Sequence, residues 1–448
     1  MAKLTPLSGF PELLPAERNA ELAVIDTLRA TFELNGYASI ETRVAEPMEQ
    51  LLRKGEIDKE VYVLRRLHAG DDASDSGLGL HYDLTVPFAR YVLEHAGKLE
   101  FPFRRYQIQK AWRGERPQEG RFREFTQADI DVVARDELPF HFDVEVARVI
   151  AEALAALPLP PMRLRVNNRK LIEGFYRGLG ASDPAAVIRI VDKLDKVSRE
   201  TMEQLLADGA GLDSGQVQRC LELAAISSRD TGFVAQVREL GVEHELLDLG
   251  LAELARVVDG CAAIGTERFT VEASLSLARG LDYYTGTVFE IHMAGFESLG
   301  SVGGGGRYDA LASDGKTTYP GVGISFGVSR TLVPLVNRGL ITSTRAVPSA
   351  VLVALADEDS RAASEEVARR LRCRGIACEV APAAQKYGRQ IRHAERRGIP
   401  FVWFPGVDGS SDEVKDIRSG DQGPADADAW VPPDEDLRPR VVSKEQPR

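Results

Sequence analysis

Two runs of alternating side chains, separated by a loop of turn-forming residues, constrain this chain more than any other feature. "FPFRRYQIQKAWRGE" and "FREFTQADIDVVA" flank "RPQEGR" between residues 101 and 134. Period-two alternation sends successive side chains to opposite faces of a strand. Proline and glycine mark the loop between the runs. The stretch reads as a long hairpin whose tip and flanks carry charge. Within 103–123, Arg104, Arg105, Lys110, Arg113, Arg116, Arg121 and Arg123 face only Glu115 and Glu119, in a chain of net charge -12. A uniformly acidic protein repels phosphate backbones, so nucleic acid would have to dock on a local basic patch such as this one. The competing reading is a solvated charge run.

Elsewhere the texture changes more than once. Residues 16–36 show helical spacing at Leu22, Ile25, Leu28 and Phe32 and stop at Gly36. "YASIETRVAEPMEQLLRKG" reads as a short strand, a proline break and a helix. "LGLHYDLTVPFARYVLEH" reads as a strand, a turn at Asp83–Pro87 and a helix. From 168 to about 260 the patterns are all helical, and strand signals resume at "RFTVEASLSLARG" and "TGTVFEIHMAG". That is a helical insertion interrupting a sheet. Beyond 341, strands and helices alternate, which implies a small α/β domain with a largely parallel sheet. The last residues, rich in Pro, Asp and Glu, read as frayed.

Several function classes lack support. No apolar run approaches a membrane span, and "MAKLTPLSGF" does not read as a signal peptide. Cys220, Cys261, Cys373 and Cys378 form no C-x-x-C pair or zinc spacing, so a reduced, cytoplasmic thiol state is expected and no metal site is. "SVGGGGRYDAL" lacks the G-K-[ST] of a phosphate loop, and "GVGISFG" is one residue off the dinucleotide fingerprint. There is no G-x-S-x-G elbow.

Arginines on predicted strands and strand ends remain: Arg113, Arg121, Arg279 and Arg330. Guanidinium groups grip phosphate or carboxylate in a fork, and several together suit a nucleoside triphosphate and the charge that develops as it reacts. "LARGLDYYTGTVFE", residues 277–290, is harder to place. On its own it reads as a hairpin with packed tyrosines and solvated charges.

"FRRYQIQKAWRGERPQEGRFREF" resembles motif 2 of the class II aminoacyl-tRNA synthetases, "GVGISFGVSRTL" their motif 3, and "YASIETRVAEPMEQLLRKG" their motif 1, a dimer segment. "LARGLDYYTGTVFE" and "GGGGRYDAL" resemble the two signatures of the histidyl-tRNA synthetases, and "QKYGRQIRHAERRGIPF" and "DEVKDIRSGDQ" are similar to that family's anticodon-binding domain. The resemblance implies an α+β catalytic domain with an antiparallel sheet flanked by helices, a helical insertion, and a C-terminal α/β anticodon-binding domain. The expected divisions are 1–167 and 262–340 for the catalytic domain, 168–261 for the insertion, 346–432 for anticodon binding, and 433–448 for a disordered tail.

The roles it implies run residue by residue. Arg279 would lie between the histidine carboxylate and the ATP α-phosphate, and Arg113 on that phosphate, as the catalytic pair. Asp83 and Thr85 would hold the histidine α-amino group. Arg113, Gln127, Asp131, Arg279, Tyr283, Tyr284 and Tyr308 would complete the histidine site, with Asp131 and Tyr308 towards the imidazole. Glu115 and Phe125 would take the adenine, and Arg121 and Arg330 the γ-phosphate. Arg116, Gln118 and Arg123 would meet the tRNA acceptor end. Some bacterial relatives carry glutamate where Asp83 and Asp131 stand; aspartate keeps the charge and shortens the reach. ATP with Mg2+, L-histidine and the histidine tRNA are the implied ligands, with a cytoplasmic homodimer and no membrane or DNA partner. Two other readings are a histidine-sensing regulatory paralogue and a module that only binds uncharged tRNA. The first usually lacks the anticodon domain and has eroded ATP arginines; the second predicts tRNA binding without adenylate formation.

Overall fold

The structure is a computed structural model that describes residues 4–52, 60–67, 77–194, 197–278, 283–406 and 410–443. It divides into two compact units, Met1–Pro11 with Ile25–Pro334, and Glu12–Val24 with Leu335–Arg448. Helix α1 (Pro15–Leu34) spans that division. Val24, Leu28 and Phe32 are fully buried along it, whereas Leu22, which spacing alone groups with the apolar stripe, is 40% exposed.

The first unit is built on a nine-stranded sheet. Its strands are β1 (Ala38–Ser39), β2 (Phe103–Trp112), β3 (Glu124–Val133), β4 (Met162–Asn168), β5 (Ser227–Ser228), β6 (Phe269–Ser274), β7 (Thr287–Met293), β8 (Gly303–Tyr308) and β9 (Gly321–Gly327). In space they run β1-β2-β3-β9-β8-β7-β4-β6-β5. Every pairing from β2 through to β4 is antiparallel; β1–β2 and β4–β6 are parallel. The long hairpin is β2–β3, paired from Phe103↔Val133 to Trp112↔Glu124.

The segment 277–290 does not close a hairpin. β6 and β7 are separated by β4, so the chain crosses that strand between them. The four-glycine run forms β8 rather than a loop, because neighbouring backbone occupies the space a side chain would need. A Cβ on Gly305 would come within 2.0 Å of the Gly323 carbonyl oxygen.

Alternation divides the central strands into two faces. Ala128, Ile130 and Val132 of β3 and Val322 and Phe326 of β9 are fully buried. They lie on the side covered by helix α3 (His141–Ala155), whose Asp143 accepts hydrogen bonds from Thr287 and Arg307 of β7 and β8. Helix α2 (Thr85–His95) follows the Asp83 turn, with Pro87 inside its first turn where a missing N–H costs nothing.

Between β4 and β6 the chain is helical, as its spacing predicts, except that β5 returns to pair with β6 at the sheet edge: α4 (Arg169–Gly178), α5 (Pro184–Val191), α6 (Arg199–Ala210), α7 (Ser214–Ala225), α8 (Phe233–Glu239) and α9 (Glu245–Cys261). Local chemistry starts most of them. Asn168, Asp183, Ser198 and Asp213 each accept an N–H of the first turn, and Asp213 forms a reciprocal box with Gln216. Helices α4 and α9 meet at glycine, since a Cβ on Gly250 would lie 2.1 Å from the Leu171 amide.

The second unit holds strands β10 (Val351–Val353), β11 (Cys378–Val380), β12 (Phe401–Phe404), β13 (Glu413–Asp416) and β14 (Gln422–Pro424), in the order β11-β10-β12-β13-β14. The first three are parallel, as alternation with helices predicts, and β13 and β14 add an antiparallel edge. Both faces of β10 are covered: Val351 and Val353 pack in one apolar cluster, Leu352 and Ala354 in another. That explains the unbroken hydrophobic run. The segment expected to fray contains a short helix, Asp434–Leu437, and a strand, Val441–Ser443, paired with Ile341–Ser343. Arg418 reaches Asp436 at 2.7 Å, so charge there is used in pairing rather than in solvation. All four cysteines are free thiols, and no helix among the described residues is long and apolar enough to cross a membrane.

Candidate active site

The front of the sheet, opposite α3, carries a cavity of about 370 Å³. Its wall and floor follow from register. On β3 the alternate residues Phe125, Gln127, Asp129 and Asp131 all line it. On β9 their partners are Gly327, Ser325 and Gly323, opposite Gln127, Asp129 and Asp131. On β8, Gly304, Gly306 and Tyr308 continue the same face. The cavity exists because side chains are missing from β8 and β9. A Cβ on Gly323 would sit 2.0 Å from Asp131 Oδ1, and one on Gly306 would meet the Tyr284 ring at 2.7 Å.

One end is acidic and aromatic. Asp83 is 5% exposed and accepts the Val86 N–H at 3.0 Å, with Thr85 beside it at the start of α2. Asp131 is held by Arg105 at 2.7 Å and by the Tyr308 hydroxyl, which donates at 2.9 Å. Tyr283 donates to Tyr284 at 2.5 Å, with ring centroids 4.1 Å apart. Burial holds the Tyr283 and Tyr308 hydroxyls well above the usual tyrosine range, with the nearby aspartates adding to the effect, so both stay protonated donors. Gln127 donates to Ser325 Oγ at 2.6 Å, and Ser325 donates to Asp129. The Asp129 carboxyl is pushed up to about 7 by burial, with Asp131 and Asp83 adding to the rise and Arg105 opposing it.

The other end is cationic. Arg113, just past β2, donates to the Tyr82 carbonyl at 2.9 Å and lies 5.2 Å from the Phe125 ring centroid. Glu115 and Arg121 pair across the β2–β3 loop at 3.4 Å, and Arg121 is exposed. Arg330, in the first turn of α10 (Val328–Asn337), donates to the Leu299 carbonyl at 2.5 Å. These four line the cavity with Phe125.

The structure thus brings together Asp83, Thr85, Arg113, Glu115, Arg121, Phe125, Gln127, Asp131, Tyr283, Tyr284, Tyr308 and Arg330. Arg116, Gln118 and Arg123 lie on the hairpin loop outside the cavity lining; Arg116 and Gln118 are exposed, and Arg123 donates its N–H to the Gly9 carbonyl. Arg279 and Asp282 fall outside the described residues. The basic run does not form one surface. Arg104 pairs with Glu145, Lys110 with Glu124, and Arg105 is fully buried, 4.2 Å from the Phe88 ring centroid. The same alternation that singles out Gln127 and Asp131 also marks Asp129. Ser325 and the counter-ion role of Arg105 become visible only with cross-strand register. Among the described residues no cluster of three or more His, Cys, Asp or Glu could hold a metal ion.

The model for histidyl-tRNA synthetase matches residues 9–331, and that for an anticodon binding domain matches 349–424. The chain is 58% identical to a histidine–tRNA ligase of Cutibacterium acnes, over 99% of each chain. It is 50% identical to one of Thermobifida fusca, over 95% of this chain and 98% of the other. A crystal structure of histidyl-tRNA synthetase from Nostoc sp. superposes with a TM-score of 0.84 at 33% identity, covering 96% of this chain and 98% of that one. With catalytic motifs, sheet order and an anticodon-domain match in one chain, the protein belongs to the histidyl-tRNA synthetase family.

Proposed function

We propose that the protein is a histidine–tRNA ligase, which joins histidine to ATP as histidyl-adenylate and then transfers it to the 3′ end of its tRNA. One observation carries the reading: a single cavity joins an acidic, tyrosine-lined end to an arginine-rich end with an aromatic face. The first suits an ammonium group and an imidazole, the second a nucleoside triphosphate.

In the first step a histidine carboxylate oxygen bonds to the α-phosphorus, the bond from that phosphorus to the bridging oxygen breaks, and pyrophosphate leaves. Two anions must meet, so fixed cations lower the barrier. Arg113 and Arg279 take that role. Arg121 and Arg330 hold the γ-phosphate, Glu115 accepts from the adenine amino group, and Phe125 stacks on its ring. Glu115 and Arg121, paired with each other here, separate to do so. Magnesium arrives as the counter-ion of the nucleotide. Asp83, Thr85 and Gln127 hold the ammonium, and Asp131, Tyr308, Tyr283 and Tyr284 enclose the imidazole. In the second step a terminal ribose hydroxyl of tRNA attacks the acyl carbon and AMP leaves. Arg116, Gln118 and Arg123 guide that end, and residues 346–432 read the anticodon. Residues 1–167 and 262–340 form the catalytic domain around the 168–261 insertion. The enzyme works as a cytoplasmic homodimer through the motif 1 segment.

The regulatory paralogue is the runner-up. An ATP phosphoribosyltransferase regulatory subunit/histidyl-tRNA synthetase from Bacillus halodurans shares the fold, with a TM-score of 0.71 at 19% identity over 88% of this chain. The intact cationic end and the anticodon-domain match favour the ligase. Aminoacylation separates them: the ligase charges histidine tRNA with histidine, and the regulator leaves it uncharged. Arg116→Ala should slow that transfer and spare adenylate formation.

A further inference from the structure

Asp129 touches neither expected ligand group by resemblance, yet it stands in the lining row of β3 between two residues that do. It is 2% exposed. Its register partner on β9 is Ser325, whose hydroxyl donates to it. That hydroxyl also accepts from Gln127 Nε2 at 2.6 Å. A hydroxyl has one proton to give, so the direction of this chain is set at its end. While Asp129 is a carboxylate, it can only accept. Ser325 must then donate to it and accept from Gln127. The Gln127 amide nitrogen is thereby pinned, and Oε1 is left over. That oxygen is buried with no hydrogen-bond partner among the described residues. A buried acceptor in that state calls for a donor from a ligand.

Resting on the ligase reading, we propose that Asp129 is a positioning residue which, through Ser325, fixes Gln127 with its carbonyl oxygen towards the cavity, as an acceptor for the substrate ammonium. A protonated Asp129 could donate to Ser325 instead. The serine would then donate to the amide oxygen, the amide would turn over, and its NH2 group would face a cation. The direction of the relay is therefore fixed only while Asp129 is ionised.

Burial moves that ionisation to about 7. The groups that face Asp129 are Arg105 on β2, Asp131 on its own strand, Asp83 before α2, Ser325 on β9 and Tyr283 beyond β6. Only Arg105 favours the carboxylate by charge, and Arg105 is already held 2.7 Å from Asp131. An arriving ammonium would add the missing positive charge and draw Asp129 into its ionised form.

The test is steady-state ATP–pyrophosphate exchange by the full chain and three variants, on both sides of pH 7. Above it, Asp129→Asn and Ser325→Ala should each raise the KM for histidine about tenfold or more, with the KM for ATP unchanged, as loss of a hydrogen bond to a charged group implies. Below it, the Asp129→Asn to wild-type ratio should fall towards one. Titration of the imidazole is common to both proteins and cancels in the ratio. Asp129→Asn combined with Gln127→Glu should recover histidine affinity, because a carboxylate cannot present a donor. If Asp129→Asn does not fold, Ser325→Ala decides alone. A wild-type KM for histidine in Ser325→Ala, equal losses for both substrates, or a ratio flat across pH 7 would each overturn the relay. If wild-type protein shows no exchange, the ligase reading has failed, and calorimetric histidine binding to the same variants still judges the relay.

Discussion

The two faces of β3 and β9 have the same backbone and opposite contents. Towards α3 they present Ala128, Ile130, Val132, Val322 and Phe326, all fully buried. Towards the cavity they present Phe125, Gln127, Asp129 and Asp131, with glycine and serine opposite. A two-residue period lets one pair of strands serve both as core and as reactive surface. The back face lowers the free energy of the fold. The front face raises it, by burying three carboxylates, Asp83, Asp129 and Asp131, near one buried guanidinium.

The division would be broken most strongly at Arg105, a buried front-face residue whose charge offsets that of Asp131. Arg105→Met leaves Asp131 buried without its counter-ion and should cost about 3–5 kcal/mol in denaturant unfolding. A loss below about 1 kcal/mol would show that Asp131 has other support. Ile130→Ala on the back should cost about 2–5 kcal/mol while the folded fraction keeps its KM for histidine. A specific rise in that KM would mean that the faces are coupled. Gly323→Ala should damage both faces. Its Cβ would lie 2.0 Å from Asp131 Oδ1 and 2.6 Å from the Ile130 carbonyl oxygen, so exchange should fall about 10²-fold and the melting temperature should fall with it.

The effect of opposite sign is expected at Asp129. Its folded-state pKa lies above that of an unfolded aspartate, so the folded protein binds the proton more tightly. Its contribution to stability is present below about pH 4 and is lost as pH rises through about 7. Asp129→Asn should therefore melt higher than wild type above pH 7, and the gap should close in acid. A variant less stable than wild type at alkaline pH would contradict the view that this carboxylate is kept at a cost in stability.

Much of this was legible in the residues. Alternation gave β2 and β3, and helical spacing gave the helices between 168 and about 260. The motifs placed most of the lining before any register was known. What escaped was non-local. The 277–290 segment looks like a hairpin because sequence shows nearness along the chain, not that β4 lies between β6 and β7. The glycine run looks like a loop because strand propensity is low for glycine. It forms a strand where neighbouring carbonyls leave no space for a Cβ. Arg105 looks like part of a nucleic-acid patch until pairing puts it opposite Asp131. The acidic tail looks frayed until Arg418 and Ile341–Ser343 supply its partners.

The central claim is that the front of the sheet activates histidine. ATP–pyrophosphate exchange by the purified chain, with each amino acid in turn and no tRNA, tests it most directly. Exchange with histidine alone is the predicted result. A folded protein that binds histidine but shows no exchange with any amino acid would contradict it, and would make the cavity a sensor.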